Sequence, residues 1–194
     1  MSMPFWEYFL AIEQDLEKCT RYVQFDEKNY KTYSLEFARI IVASGAECDT
    51  VMQALCKSID SSQVPRKMPE YFPIVCKVYP RFIEYEIEIP RYELSFAPWK
   101  TWSSDKSPDW WKKAYNKIKH ERDKYFKNAN LRNAIMATAG LLVTLLYYYD
   151  HEILRPEPPH PMCIDSSWSP RLLCPKYYGQ GEPAQIGLEY DILR

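Results

Sequence analysis

Ala134-Ile135-Met136-Ala137-Thr138-Ala139-Gly140-Leu141-Leu142-Val143-Thr144-Leu145-Leu146-Tyr147-Tyr148-Tyr149 is a run of sixteen residues without a charge. A helix that is apolar on every side is buried on every side. A bilayer-spanning helix wants about twenty such residues, and this run is shorter. We therefore expect a central helix, enclosed within one subunit or shared between two. Tyr147-Tyr148-Tyr149 has the make-up of an interfacial aromatic belt, which keeps membrane attachment through 134–149 as the alternative.

Upstream, Ser107-Pro108-Asp109 reads as a helix start, with a capping serine, proline at the first helical position and an acid for the dipole. Helical character then continues to about Leu154. Unbroken, it would extend roughly 70 Å at 1.5 Å per residue, too long for a compact body of this size. Lys127-Asn128-Ala129-Asn130 is the expected break, with Asn128 or Asn130 capping the next helix. Nearer the N-terminus, Phe5, Trp6, Phe9, Ile12, Leu16 and Val23 recur at helical spacing. From Tyr33 a second stripe runs through Leu35, Ala38, Ile41, Val42, Gly45, Cys48, Val51, Met52 and Leu55, about six turns. Gly45 lies on that stripe and predicts a close contact rather than a break.

Between these helices Ser61 to Pro73 changes character, and Pro65, Pro69 and Pro73 are expected to end regular helix. Phe82-Ile83-Glu84-Tyr85-Glu86-Ile87-Glu88-Ile89 alternates with period two, which predicts a strand. Tyr92, Leu94 and Phe96 continue in shifted parity, so Pro90-Arg91 marks a turn or bulge. Glu84, Glu86 and Glu88 read as a solvated strand face rather than a cation site. Residues 156–194 hold seven of the fifteen prolines, together with Trp168, Leu172, Leu173, Tyr177 and Tyr178, and are expected to lie against the body. The fold class is mainly α: a helical bundle over residues 1–155 with a short two-stranded β excursion near 82–96, then a Pro- and aromatic-rich C-terminal extension over 156–194.

The 194 residues carry 25 Lys and Arg against 26 Asp and Glu, so no global basic field exists to capture nucleic acid, and any such role needs a local patch. Only five glycines argue against a dinucleotide-binding α/β sheet. Six cysteines, at 19, 48, 56, 76, 163 and 174, have no zinc spacing. Met1-Ser2-Met3-Pro4-Phe5-Trp6-Glu7 shows no secretory pattern. We expect reduced thiols, a cytoplasmic location, no cofactor and no metal; His120, His151 and His160 are dispersed.

The local patch lies between Pro108 and Arg132, where eight Lys and Arg stand against three Asp and Glu. At 100° per residue Trp111, Ala114, Tyr115, Ile118, Arg122 and Tyr125 fall on one side, toward the core. Asn116, His120, Asp123 and Lys127 fall on the other, flanked by Lys113 and Lys124. Asn116 and His120 are four apart and share a face. An imidazole moves protons at neutral pH, and cations beside it hold phosphate and stabilise developing charge. These parts suit metal-independent RNA cleavage; they equally fit a solvated histidine on a lysine-rich helix.

Tyr115-Asn116-Lys117-Ile118-Lys119-His120, on a helix within a helical bundle, resembles the Arg-polar-x-x-x-His signature of the HEPN superfamily (higher eukaryotes and prokaryotes nucleotide-binding). The resemblance covers about six residues in motif and about residues 5–155 in architecture. It implies a ribonuclease of a defence or toxin system acting as a homodimer, with the motif facing its copy. Asn116 and His120 take the polar and histidine positions. The arginine position holds Tyr115, so phosphate binding falls to Lys113, Lys124, Lys127 or Arg122. Arg122, pointing about 200° from His120, would pair in the core or reach the second protomer. The alternative is a catalytically inactive HEPN-like protein that binds a protein partner through its aromatic surfaces.

Overall fold

The computed structural model describes residues 3–153 and 170–176. Five α-helices and a three-stranded antiparallel sheet make up the described part, so the fold is mainly α with a small β excursion.

Helix α1 (Pro4–Cys19) begins on proline with Glu7 in its first turn, both favourable at a helix N-terminus. It buries Trp6, Phe9, Ile12, Glu13, Leu16 and Cys19. Helix α2 (Leu35–Ile59) is capped by Ser34, whose Oγ accepts the Phe37 N–H at 3.1 Å. Its buried face includes Phe37, Ile41, Cys48, Val51, Met52 and Leu55. The uncharged run forms helix α5 (Leu131–Ile153), and residues 137, 139, 141–143 and 145 have no exposed surface. Leu131–Tyr149 is long and apolar enough to cross a membrane, yet most of it is enclosed by the rest of this fold. Helices α2 and α5 pack along each other. Two buried polar contacts cross the seam: Ser44 Oγ to Thr138 Oγ1 at 3.2 Å and Cys48 Sγ to Thr144 Oγ1 at 3.5 Å. Both threonines also donate within α5, to Ala134 O and Gly140 O, so the seam leaves neither hydroxyl unsatisfied.

Phe, Trp and Tyr make up 15% of the chain, and many of them go into the core. The indoles of Trp99, Trp102 and Trp110 are buried, and each Nε1 donates to a backbone carbonyl, of Gly140, Met68 and Pro98 respectively, at 3.0–3.1 Å. Cys19, Cys48 and Cys56 are buried free thiols, and Cys76 and Cys174 are free and half-buried; Cys163 lies outside the described residues. Burial pushes the Cys48 and Cys56 thiols up to about 12.

Several sequence expectations need correction. Prolines 69 and 73 do not end helix: α3 (Met68–Val78) contains both, one in its first turn and one inside. Pro73 would have paired with the carbonyl of Pro69, at the helix start, so only one early bond is lost. Met68, Tyr71 and Val75 anchor α3 on the core. The alternating segment is strand only at β1 (Ile87–Ile89); Phe82–Glu84 is a 3-10 turn that buries Phe82 in place of Ile83. Strand β2 (Leu94–Phe96) pairs with β1 through Ile87↔Phe96 and Ile89↔Leu94. The turn between them is the expected Pro90-Arg91 region, closed by Glu93 at φ 53°.

The sheet has a third strand that periodicity did not show, β3 (Cys174–Pro175), in the order β2-β1-β3. It belongs to the C-terminal extension. Residues 170–176 lie against the body as a strap, with Leu172 and Leu173 buried. The backbone N–H groups of Arg171, Leu172 and Leu173 each donate to the Glu13 carboxylate at 2.9 Å. Trp168, Tyr177 and Tyr178 lie outside the described residues.

Candidate nucleic-acid interface on helix α4

The basic segment begins one residue later than its cap signal predicts. Ser107 does not cap; the Pro108 carbonyl accepts the Lys112 N–H at 2.9 Å, and Thr101 Oγ1 accepts the Asp109 N–H at 3.3 Å. Trp110–Tyr115 is a π-helix. The wider turn brings Trp110, Trp111, Ala114 and Tyr115 inward together, leaving Lys112 and Lys113 exposed. Two glycines make room for it. A Cβ on Gly45 would stand 2.3 Å from the Tyr115 ring, and one on Gly140 would stand 2.7 Å from the Trp110 ring. The close contact expected at Gly45 is therefore with an aromatic side chain.

Helix α4 (Asn116–Tyr125) follows, and Ile118 is its only buried residue. Asn116 is half-buried and His120 is exposed, one turn apart on the same helix. His120 makes no hydrogen bond or ion pair with the described residues. Just beyond it the backbone breaks: Glu121 has φ −142° and ψ 51°. That kink overturns the projected place of Arg122, which is exposed rather than turned to the core. A projection at 100° per residue holds only while every residue stays helical.

The four proposed phosphate ligands differ in their surroundings. Lys113 pairs with Asp109 at 3.1 Å, and Lys124 pairs with Glu121 at 2.9 Å. Glu121 also faces Lys117 at 3.8 Å, and the Lys117 ammonium stands 4.6 Å from the Tyr125 ring centroid. Lys127 and Arg122 are exposed and have no carboxylate partner among the described residues. The pairs at Lys113 and Lys124 are surface ion pairs, worth about 0–1 kcal/mol, so a phosphate displaces them at small cost. Lys127 sits in the 3-10 turn Phe126–Asn128. Asn130 then caps α5, its Oδ1 accepting the Asn133 N–H at 3.0 Å, one of the two caps expected.

Tyr115, which stands where the HEPN signature has arginine, is 3% exposed. Its hydroxyl accepts a hydrogen bond from Lys119 Nζ at 3.2 Å. This position therefore delivers a cation to the surface only indirectly, through Lys119. Among the described residues no group of three or more His, Cys, Asp or Glu is gathered to hold a metal. Sequence reading missed Glu13, the one carboxylate buried in the core among the described residues. Its signal was present: it stands four residues after Phe9, on the apolar face of α1.

Comparison with known proteins finds no matching family model, curated protein or solved structure.

Proposed function

We propose that this chain is a HEPN-like homodimeric ribonuclease, binding RNA on the exposed face of α4 and cleaving it without a metal. The observation that carries this reading is the exposure of His120 one turn from the half-buried Asn116, on a segment whose Lys113, Arg122, Lys124 and Lys127 are exposed as well. In this mechanism the imidazole takes the proton of a ribose 2′-hydroxyl, which attacks the adjacent phosphorus; the 5′-oxygen leaves and receives a proton. The cations bind the phosphate and stabilise charge on its oxygens as the bond order changes. Asn116 orients substrate. Each protomer contributes the exposed face of α4, and a second copy facing it supplies the opposite wall.

A second reading is a HEPN-like protein that binds a protein partner without catalysis. It is favoured by Tyr115, whose packing against Gly45 keeps that position inside. RNA incubated with the protein in EDTA distinguishes the two. The first reading expects cleavage that His120→Ala abolishes while RNA binding persists. Equal survival of the RNA with both proteins removes the enzyme and leaves the interaction protein.

A further inference from the structure

Given the RNA reading of α4, on which this rests, we propose that the ligand is single-stranded and that an unpaired base stacks on Tyr33, beside the C-terminal end of that helix. Tyr33 is 46% exposed and Leu35 69% exposed, and both lie where the chain enters α2. The half-buried Phe126 stands against Tyr33, with ring centroids 5.4 Å apart and planes at 82°. Phe126 directly follows Tyr125, the last residue of α4, so the Tyr33 ring adjoins the end of the helix that carries His120.

The ring sits on a tethered backbone. Residues 30–34 run beside 129–132. The Ser34 N–H donates to the Ala129 carbonyl at 3.1 Å, the Leu131 N–H to that of Thr32 at 2.9 Å, and the Arg132 N–H to that of Tyr30 at 3.3 Å. Tyr33 itself forms an antiparallel bridge with Asn130, the residue that caps α5. A flat aromatic side chain placed before its ligand arrives loses little freedom when a base stacks on it.

Charge selects a nucleic acid as the occupant. The paired segments 30–36 and 125–132 carry Lys31, Lys127 and Arg132 against one acid, Glu36. Glu36 is already engaged, accepting from Arg39 Nε at 3.1 Å. The three cations are exposed and have no carboxylate partner among the described residues. Lys127 is the next residue after Phe126, and the Arg132 guanidinium stands 6.0 Å from the Tyr30 ring centroid. An accessible aromatic ring with cations around it suits a single strand, whose phosphates meet the charges while a base covers the ring. A duplex does not fit, because its bases are stacked on one another and offer no free face.

The test measures binding to the full chain by fluorescence anisotropy. The probes are a short 2′-O-methyl oligoadenylate, an abasic oligomer with the same backbone and length, and a duplex of that length. Methylation blocks attack by the 2′-oxygen, so affinity is read apart from cleavage. The oligoadenylate should bind about tenfold more tightly than the abasic oligomer, and the duplex no better than the abasic one. Tyr33→Ala should remove the difference and Tyr33→Phe should keep it, both with the melting temperature of the wild type. Equal binding of the base-bearing and abasic oligomers by the wild type, or a preference that survives Tyr33→Ala, overturns the stacking site, even where His120-dependent cleavage of RNA is found. Preference for bases without any cleavage upholds the stacking site and removes the nuclease. Failure of all three probes to bind, with Tyr33→Ala instead weakening self-association, makes the patch a protein contact and overturns the proposal.

Discussion

Glu13 is 2% exposed, and three strap N–H groups converge on its two oxygens. Each N–H left without an acceptor costs about 1–3 kcal/mol. Glu13→Ala should therefore destabilise the chain by about 3 kcal/mol, measured by denaturant unfolding. Burial is the largest influence on the carboxyl and raises its pKa, outweighing the three donors. The folded chain thus holds this proton more tightly than the unfolded one. The resulting stability is complete below the ordinary carboxyl value and is lost as pH rises through the raised value. The stability of wild type relative to Glu13→Gln should fall across that window, and a difference that grows would reverse the sign argued here. Tyr115 gives a second test at this scale. An arginine at this position, as in the HEPN signature, would place a guanidinium against Gly45 and Trp111, at a cost of about 3 kcal/mol or more. Tyr115→Arg should lower the melting temperature rather than improve a phosphate site; a stable variant with new RNA affinity would contradict that.

Among the elements, the π-helix is the least regular and the most constrained. Gly45→Ala should destabilise by about 1–3 kcal/mol, because the Cβ meets the Tyr115 ring and a packed core resists the shift. Thermal unfolding checks this, and a neutral substitution would mean that the ring moves freely. The elements also divide by how legible they were. Helices α1 and α2 follow from apolar spacing because long buried faces leave a periodic record, and α5 follows from its run without charge. Helix α3 was hidden by Pro69 and Pro73, since proline rules describe a lost N–H and not the place in the helix where losing it is cheap. Strand β3 has two residues, one of them proline, too few for any period. Arg122 was misplaced because one non-helical residue, Glu121, rotates everything beyond it. Glu13 was overlooked because a charge on an amphipathic helix is ordinarily solvated, and its hydrogen-bond donors lie more than 150 residues away.

At the scale of the whole molecule, the N-terminal helix and the C-terminal strap hold each other. Leu172 and Leu173 join the same core as Trp6 and Leu16, and β3 covers one edge of β1. Ending the chain after residue 169 would remove two buried leucines, worth about 1.5–3 kcal/mol each, and strand Glu13 without its donors. The truncated protein should unfold at clearly lower temperature, and a melt matching the full chain would mean that the strap adds nothing to stability. The proposed chemistry depends on a single face of α4. The most direct measurement is the identity of the RNA ends produced in EDTA. Attack by a 2′-hydroxyl predicts 2′,3′-cyclic phosphate and 5′-hydroxyl termini, absent when His120→Ala replaces the wild type. Intact RNA, or 5′-phosphate ends that appear only with a divalent metal, would contradict it.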